Sequence, residues 1–433
     1  MRDLANALTI QGTATVISTG EQTHTGTSVL EQSAAFDRAI TRPDGSRILS
    51  LDPSPATILA LLVLAESRTC QLILGRPSID LAALGKMLQP DVIVHRTGRI
   101  ERRGDSSSGE SGIFLLTSGT TGTPKVVHQT LPALLGRVQT SSLEKNRGAR
   151  WLLTYETHSF AGLQVVLSAA LSGGVLVAPE ARNPAALAHA ARNQGVTHIS
   201  GTPTFSRALL MTIKDEGLPS LRQITLGGEA VDQATLNRVS QAFPHARVSH
   251  IYASTEAGAL FAVHDGRAGF PSAWLGHALP GGVMLRIRDE VLEVRSPRCM
   301  LAYASGQRAP LTEDGWLVTG DLVRVEGNRV LFSGRQDQIV NIAGLKVSPE
   351  EVEAFLLAQP TVDEAQVYAV PSPLTGSLLA ARIVVHPGLD PQETLQELQT
   401  VCARGLSRHK VPRRFEIVDR IAMSTSGKKA YTS

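Results

Sequence analysis

Residues 115 to 125 read Leu-Leu-Thr-Ser-Gly-Thr-Thr-Gly-Thr-Pro-Lys, an apolar strand running into a loop of glycines, hydroxyls and one cation. Gly119 and Gly122 let the backbone turn and approach a ligand closely. Thr117, Ser118, Thr120, Thr121 and Thr123 offer hydroxyl donors, and Lys125 adds positive charge. Such a composition suits a polyphosphate. A Walker loop would place Gly-Lys-Ser/Thr at the start of a helix whose N-terminus faces the phosphates. Here Lys125 is followed by Val126-Val127-His128, which is β-branched and strand-like, so the loop is expected to join strand to strand. That argues against the P-loop kinase and GTPase folds.

Outward from this loop, between about residues 50 and 330, apolar strands such as Ile113 to Leu116, Val175 to Val177 and Val248 to Ile251 alternate with Ala/Leu-rich helical stretches such as Pro184 to Asn193. The alternation predicts an α/β fold with largely buried sheets. Residues 104 to 112, rich in Ser and Gly, read as a flexible connector before the loop. Beyond about residue 330 the pattern changes to short strands and two helices with written starts. Ser348-Pro349-Glu350-Glu351 and Asp390-Pro391-Gln392-Glu393 each put a capping side chain before a proline and a Glu in the first turn. Strands are expected over Ala365 to Val370 and Ala380 to Val385, completing a small α+β module.

The 433 residues are too many for one ordinary core and imply more than one domain. A hydrophobic share of 42% with 19% charged residues fits a soluble globular protein. A net charge of +3 from 42 basic and 39 acidic residues is no nucleic-acid footprint. The sequence pI of about 8.8 leaves a mild bias toward anionic ligands. Cys70, Cys299 and Cys402 are dispersed and suggest neither a disulfide framework nor a zinc site. The longest apolar run, Ile58 to Ala65, is far below the ~20 residues of a membrane span, and a cytoplasmic location with neither membrane nor nucleic-acid partner is expected.

Four further segments follow the loop in order: Leu226-Gly227-Gly228-Glu229-Ala230, Tyr252-Ala253-Ser254-Thr255-Glu256, Trp316-Leu317-Val318-Thr319-Gly320-Asp321, and Gly334-Arg335-Gln336-Asp337 running through Asn341-Ile342-Ala343-Gly344. Ser426-Gly427-Lys428 sits near the end. With the loop, this ordered series resembles the adenylate-forming enzymes, which include acyl-CoA synthetases, peptide-synthetase adenylation domains and luciferases. The resemblance covers about residues 50 to 430. It implies a large N-terminal domain of packed α/β subdomains over 1–334 and a small mobile α+β domain over 335–433.

Bare chemistry agrees with the resemblance. Activating a carboxylate with ATP brings two anions together, so a cation must stand between them as charge develops. The resemblance gives that role to Lys428, carried in by the mobile domain. It further implies that Glu256 holds Mg2+ against the phosphates, a hard oxygen ligand for a hard cation. Thr255 would donate to the α-phosphate, with Ala253 beside it. Tyr252 would stack on adenine while the Gly228-Glu229 backbone lines its edge. Asp321 would accept both ribose hydroxyls, supported by Arg335. Asp337 matches the hinge, and Gly344 would line the tunnel for a pantetheine thiol.

The chain also departs from the family pattern. Ala253 replaces the usual glycine of Tyr-Gly-x-Thr-Glu, an added methyl that would narrow the acyl pocket. His158 resembles the family histidine before a Gly-Leu turn but stands one residue further from Gly162, as a pocket or gate residue. The segment before the phosphate loop is shorter than usual, suggesting a trimmed N-terminal subdomain, and no arginine follows Lys428. The basic run Arg404 to Arg414 reads as a carrier or CoA-phosphate contact or as a solvated helix end. No acidic residue near His158 stands out as an anchor for an α-amino group, so amino acids are disfavoured. The expected activity is ATP-dependent formation of an acyl-AMP from a small carboxylic acid with release of pyrophosphate. Transfer to a thiol would follow, that of CoA first and of a stand-alone carrier protein second. Transfer to an amine, activation of an unusual oxyacid, and a non-catalytic nucleotide sensor stand as alternatives.

Overall fold

Strand Gly112–Thr117 pairs antiparallel with strand Lys125–Gln129, Thr117 opposite Lys125, so the hydroxyl-rich segment does connect strand to strand. The computed structural model describes residues 3–40, 44–77, 79–104, 111–117, 125–140, 147–304, 308–372, 376–424 and 427–429. Ser118, Gly119, Thr120, Thr121, Gly122 and Thr123, and most of the Ser/Gly connector, lie outside the described residues.

The strand pair belongs to a seven-stranded sheet whose centre, Gly112–Thr117, Gln71–Gly75, Arg47–Leu51 and Val92–Val94, is parallel. A second, eight-stranded sheet has a parallel centre of Arg247–Ser254, Gln223–Gly227, His198–Gly201, Arg150–Leu152, Val175–Val177 and Thr15–Ser18. Helices Pro55–Ser67 and Phe160–Leu171 share one core with strands of both sheets. The first is apolar on every side and buried from Pro55 to Leu64, as a helix enclosed between layers must be. Each of its fully buried leucines contributes about 1.5–3 kcal/mol relative to exposure. The expected helix Pro184–Asn193 is present, capped by Asn183.

In open α/β sheets ligands collect at the carboxyl ends of parallel strands. The carboxyl edges of the two sheets meet here: the Thr157 hydroxyl, in the loop after Arg150–Leu152, donates to the Pro53 carbonyl, just after Arg47–Leu51. A five-stranded antiparallel sheet, including Leu317–Glu326 and Arg329–Arg335, closes a third side.

The C-terminal part forms its own core around Val352, Leu356, Val367, Ile383 and Leu398. Strands Val362–Ser372 and Gly376–Val385 extend the expected segments, and Arg414–Ile417 adds in parallel. Asp390 caps helix Pro391–Gly405 by accepting from the Gln392 and Glu393 amides at 2.9 Å. The matching cap at Ser348 does not form. The helix nevertheless starts as expected at Pro349, with Ser348 at the cap position, and the Ser348 hydroxyl donates to Glu350 at 2.8 Å. Within the basic run, Lys410 is held by Glu351 at 2.7 Å.

Polar contacts join the two parts. Arg238 donates to the carbonyls of Leu357, Val362 and Asp363 at 3.1, 2.6 and 3.2 Å, satisfying the end of helix Pro349–Leu357. Arg207, only 4% exposed, lies 3.6 Å from Asp232 and 3.8 Å from Glu364 of the C-terminal part.

Candidate active site

Gly228 follows strand Gln223–Gly227 with φ of +83°, a conformation that glycine adopts without strain. The Lys428 side chain passes over it: a methyl at Gly228 would lie 3.6 Å from the Lys428 Cε. A lysine near the chain's end is thus delivered to the carboxyl edge of the eight-stranded sheet.

A polar triangle lies near enough for the charge of Lys428 to act on it. Asp321 sits opposite Arg335 across paired strands, its Oδ1 accepting from that guanidinium at 2.8 Å and its Oδ2 from the Tyr252 hydroxyl. Burial pushes the Asp321 carboxyl above the usual carboxylate range, opposed by Arg335, the Tyr252 hydroxyl and the charge of Lys428. Burial and then Asp321 hold the Tyr252 phenol well above its ordinary value, so it stays a donor. The Tyr252 ring packs against Phe261 at 5.3 Å and Phe332 at 5.0 Å. Arg335 also donates to Asp337 at 3.2 Å, where a short turn over Gln336–Gln338 leaves the strand.

Glu256 follows the same strand as Tyr252. Its carboxylate accepts from the Tyr303 hydroxyl at 3.3 Å, and the Lys125 ammonium stands 5.4 Å above the Tyr303 ring. Lys125, Tyr303 and Glu256 therefore form a chain beside the paired strand ends at Thr117 and Lys125, where the Thr117 hydroxyl reaches the Lys125 carbonyl at 3.4 Å. Among the described residues Glu256 makes no ion pair. The Thr255 carbonyl is held by Gln129 at 2.9 Å, and Ala253 sits at a bulge opposite Ala259.

His158 lies where the two sheet edges meet. One ligand atom each from Asp52, Glu156 and His158 fall within 4.8 Å of one another. An acidic neighbour of His158, which the sequence reading did not find, is thus supplied twice: by Glu156 two residues before it and by Asp52 from the other sheet. Each is already paired with a guanidinium, Glu156 with Arg182 at 3.0 Å and Asp52 with Arg96 at 3.1 Å, so neither is an uncompensated anion awaiting an ammonium. Burial pushes the His158 imidazole down, with Asp52 opposing and Arg182 and Arg76 reinforcing, and leaves it neutral near pH 7.

Gly344 is further along the small domain, in the two-residue turn Ala343-Gly344 between strands Val340–Ile342 and Leu345–Val347. Both turn residues have positive φ, +51° and +86°, and nothing stands within 4 Å of a side chain placed at Gly344.

The structure thus sets Lys428 beside Gly228, joins Tyr252 and Arg335 through Asp321, and links Lys125 to Glu256 through Tyr303. Residues the sequence reading missed are Tyr303, Thr202 and Arg207. Thr202-Pro203 does carry a readable helix start, and the hydroxyl of Thr202 caps helix Pro203–Ile213. Tyr303 has no local signal, because its role arises from the antiparallel pairing of Ala302–Tyr303 with Lys125–Gln129. No helix among the described residues is long and apolar enough to cross a membrane.

The chain is 27% identical over 361 residues to the oxalate–CoA ligase of Saccharomyces cerevisiae, covering 77% of this chain and 64% of that protein. It is 27% identical over 333 residues to the 2-succinylbenzoate–CoA ligase of Bacillus subtilis, covering 73% and 66%. The matches therefore span a little under two thirds of these relatives. The fold is shared with ATP-bound MatB from Rhodopseudomonas palustris, with a TM-score of 0.76 at 19% identity over 98% of this chain and 97% of that one. It is shared equally with E. coli MenE bearing bound OSB-AMS, with a TM-score of 0.76 at 20% identity over 96% and 93%. The AMP-binding enzyme signature matches residues 83–299, half of the chain, and the AMP-binding enzyme C-terminal domain matches residues 351–428. By these matches the chain belongs to the AMP-binding enzyme family.

Proposed function

We propose that the protein joins a small carboxylic acid to AMP at the expense of ATP and then passes the acyl group to a thiol. The observation that supports this most directly is the placing of Lys428 over Gly228, with its charge felt at Asp321, which Tyr252 and Arg335 hold. A carboxylate oxygen bonds to the α-phosphorus as the bond from that phosphorus to its bridging oxygen breaks, and the electron pair leaves with pyrophosphate. Lys428 stands between the two anions and compensates the charge that grows as they approach. Asp321 and Arg335 hold the ribose, and the ring of Tyr252 offers a face to adenine beside the Gly228-Glu229 backbone. Thr117, Lys125, the loop hydroxyls and Thr255 bind the phosphates.

Glu256 fits a magnesium ion, since its carboxylate has an oxygen left by Tyr303 and no cation paired with it among the described residues. Bound magnesium would neutralise phosphate charge and orient the leaving group. In the second half-reaction the thiol sulfur bonds to the acyl carbon, AMP leaves with the electron pair, and the thiol proton passes to solvent. Rotation at Asp337, between residues 1–334 and 335–433, would withdraw Lys428 and bring Gly344 to the thiol path. CoA is the first acceptor to test, in keeping with the CoA ligases among the relatives, and a stand-alone carrier protein the second. Ala253 in place of glycine favours an aryl or short, compact acid over a long fatty chain.

Pyrophosphate release is the test, with ATP and magnesium, across aryl, short-chain, long-chain and amino acids and nitrite, each with and without CoA. Release that depends on one compact acid and rises with CoA is the expected result. Acid-dependent release that rises only with an amine would move the acceptor assignment, and silence throughout would overturn the reading in favour of a carrier-bound system or a nucleotide sensor.

A further inference from the structure

We propose that Glu229 and Thr202 form a two-point backbone latch that positions Lys428 for adenylation and must open before the small domain can turn. The inference rests on the activity proposed above and adds to it two positioning residues outside the reacting groups.

The peptide groups on both sides of Lys428 are tied to the large domain. On one side, the hydroxyl of Thr202, itself fully buried, donates to the Gly427 carbonyl. On the other, Glu229 accepts the Lys429 amide at 3.2 Å through Oε1, while its Oε2 accepts the Thr204 amide at 3.1 Å. Glu229 is therefore shared between the first turn of helix Pro203–Ile213, where the helix dipole favours an anion, and the segment that carries Lys428. The side chain of this residue thus faces the small domain, whereas the sequence reading used only its backbone, at the adenine edge.

Within the small domain the Lys428 turn is already shaped. Ser424 donates to the Lys428 carbonyl through its amide at 2.7 Å and its hydroxyl at 3.1 Å, and the Gly427 amide returns to the Ser424 carbonyl at 2.9 Å. Lys429 directs its ammonium to Glu353, the two side chains being 8% and 7% exposed, and both residues belong to the small domain. The turn and its buried ion pair can therefore travel as one body. What crosses to the large domain at this point is the pair of backbone hydrogen bonds to Thr202 and Glu229, which are short-range, directional and made by no atom of the Lys428 side chain. A displacement of about 1 Å in a reacting group can reduce rate by roughly 100-fold, so fixing the Lys428 Cα matters even though its side chain stays flexible.

Two measurements test the latch. On protein without substrates, the Lys429 amide should exchange with solvent about tenfold faster in Glu229→Ala than in the wild type, the loss of one charge-assisted hydrogen bond. Equal exchange overturns the latch whatever the activity. In kinetics, Glu229→Ala and Thr202→Val should each lower ATP–pyrophosphate exchange by about tenfold, while thioester formation from supplied acyl-AMP does not fall with it. Thr202→Ser, which keeps the hydroxyl, should restore exchange. Equal loss in both half-reactions would mark the two residues as merely structural and overturn the positioning role. A wild type that shows no acid-dependent exchange refutes the proposed activity instead, and is told apart from latch failure by the amide measurement.

Discussion

Replacing Lys428 with alanine is expected to slow acyl-AMP formation by roughly 100- to 1000-fold, the loss that follows removal of one preorganised group aimed at developing charge. The side chain makes no ion pair among the described residues, and the contacts that fix its neighbourhood are made by the backbone of Gly427, Lys428 and Lys429. The alanine variant should therefore fold and melt as the wild type does. ATP–pyrophosphate exchange would report the loss, whereas thioester formation from supplied acyl-AMP should stay largely intact. Gly344→Leu should show the reverse pattern. Its turn lies in open space in this pose, so the leucine meets no neighbour, but the left-handed φ of +86° strains it and its bulk would narrow a thiol path. Should both variants damage both half-reactions alike, the domain-rotation scheme is wrong.

How far the sequence carried depended on the range of each interaction. The strand-to-strand loop was legible because β-branched residues follow Lys125 immediately, and the cap at Asp390 because its partners are two and three residues away. At Ser348 the same local grammar placed the helix start correctly, although the hydroxyl donates to Glu350 and makes no cap bond. The order of motifs grouped Lys428, Asp321 and Arg335; in the fold Arg335 pairs with Asp321, and the charge of Lys428 bears on that carboxylate. What stayed hidden needed the third dimension. Asp52 meets His158 only because two sheets abut at their carboxyl edges, and Tyr303 meets Glu256 only through a short edge strand. Glu229 shows the same limit differently: its motif marked the position, but only the packing of the small domain shows which way its carboxylate serves.

Asp321→Asn should raise the KM for ATP by roughly 10- to 100-fold, because a hydrogen bond to a charged group is worth about 1.5–3 kcal/mol. The side chain is only 18% exposed, and both oxygens are already engaged, by Arg335 at 2.8 Å and by the Tyr252 hydroxyl. An arriving ribose must therefore share or displace these donors, and an anionic carboxylate, with lone pairs to spare, can accept from several at once. An amide of the same shape has one oxygen and two donor hydrogens, so it cannot accept from Arg335, Tyr252 and two ribose hydroxyls together. A separate contribution comes from folding: losing the anion leaves the buried Tyr252 hydroxyl and the guanidinium less well paired, which lowers the melting temperature. Tyr252→Phe separates the two effects. It removes the donor but keeps the carboxylate and the ring stack with Phe261 and Phe332, so it should lower the melting temperature with a smaller change in KM. If Asp321→Asn and Tyr252→Phe both destabilise the fold while leaving the KM for ATP unchanged, Asp321 is a brace for the strand pair and the ribose must be held elsewhere.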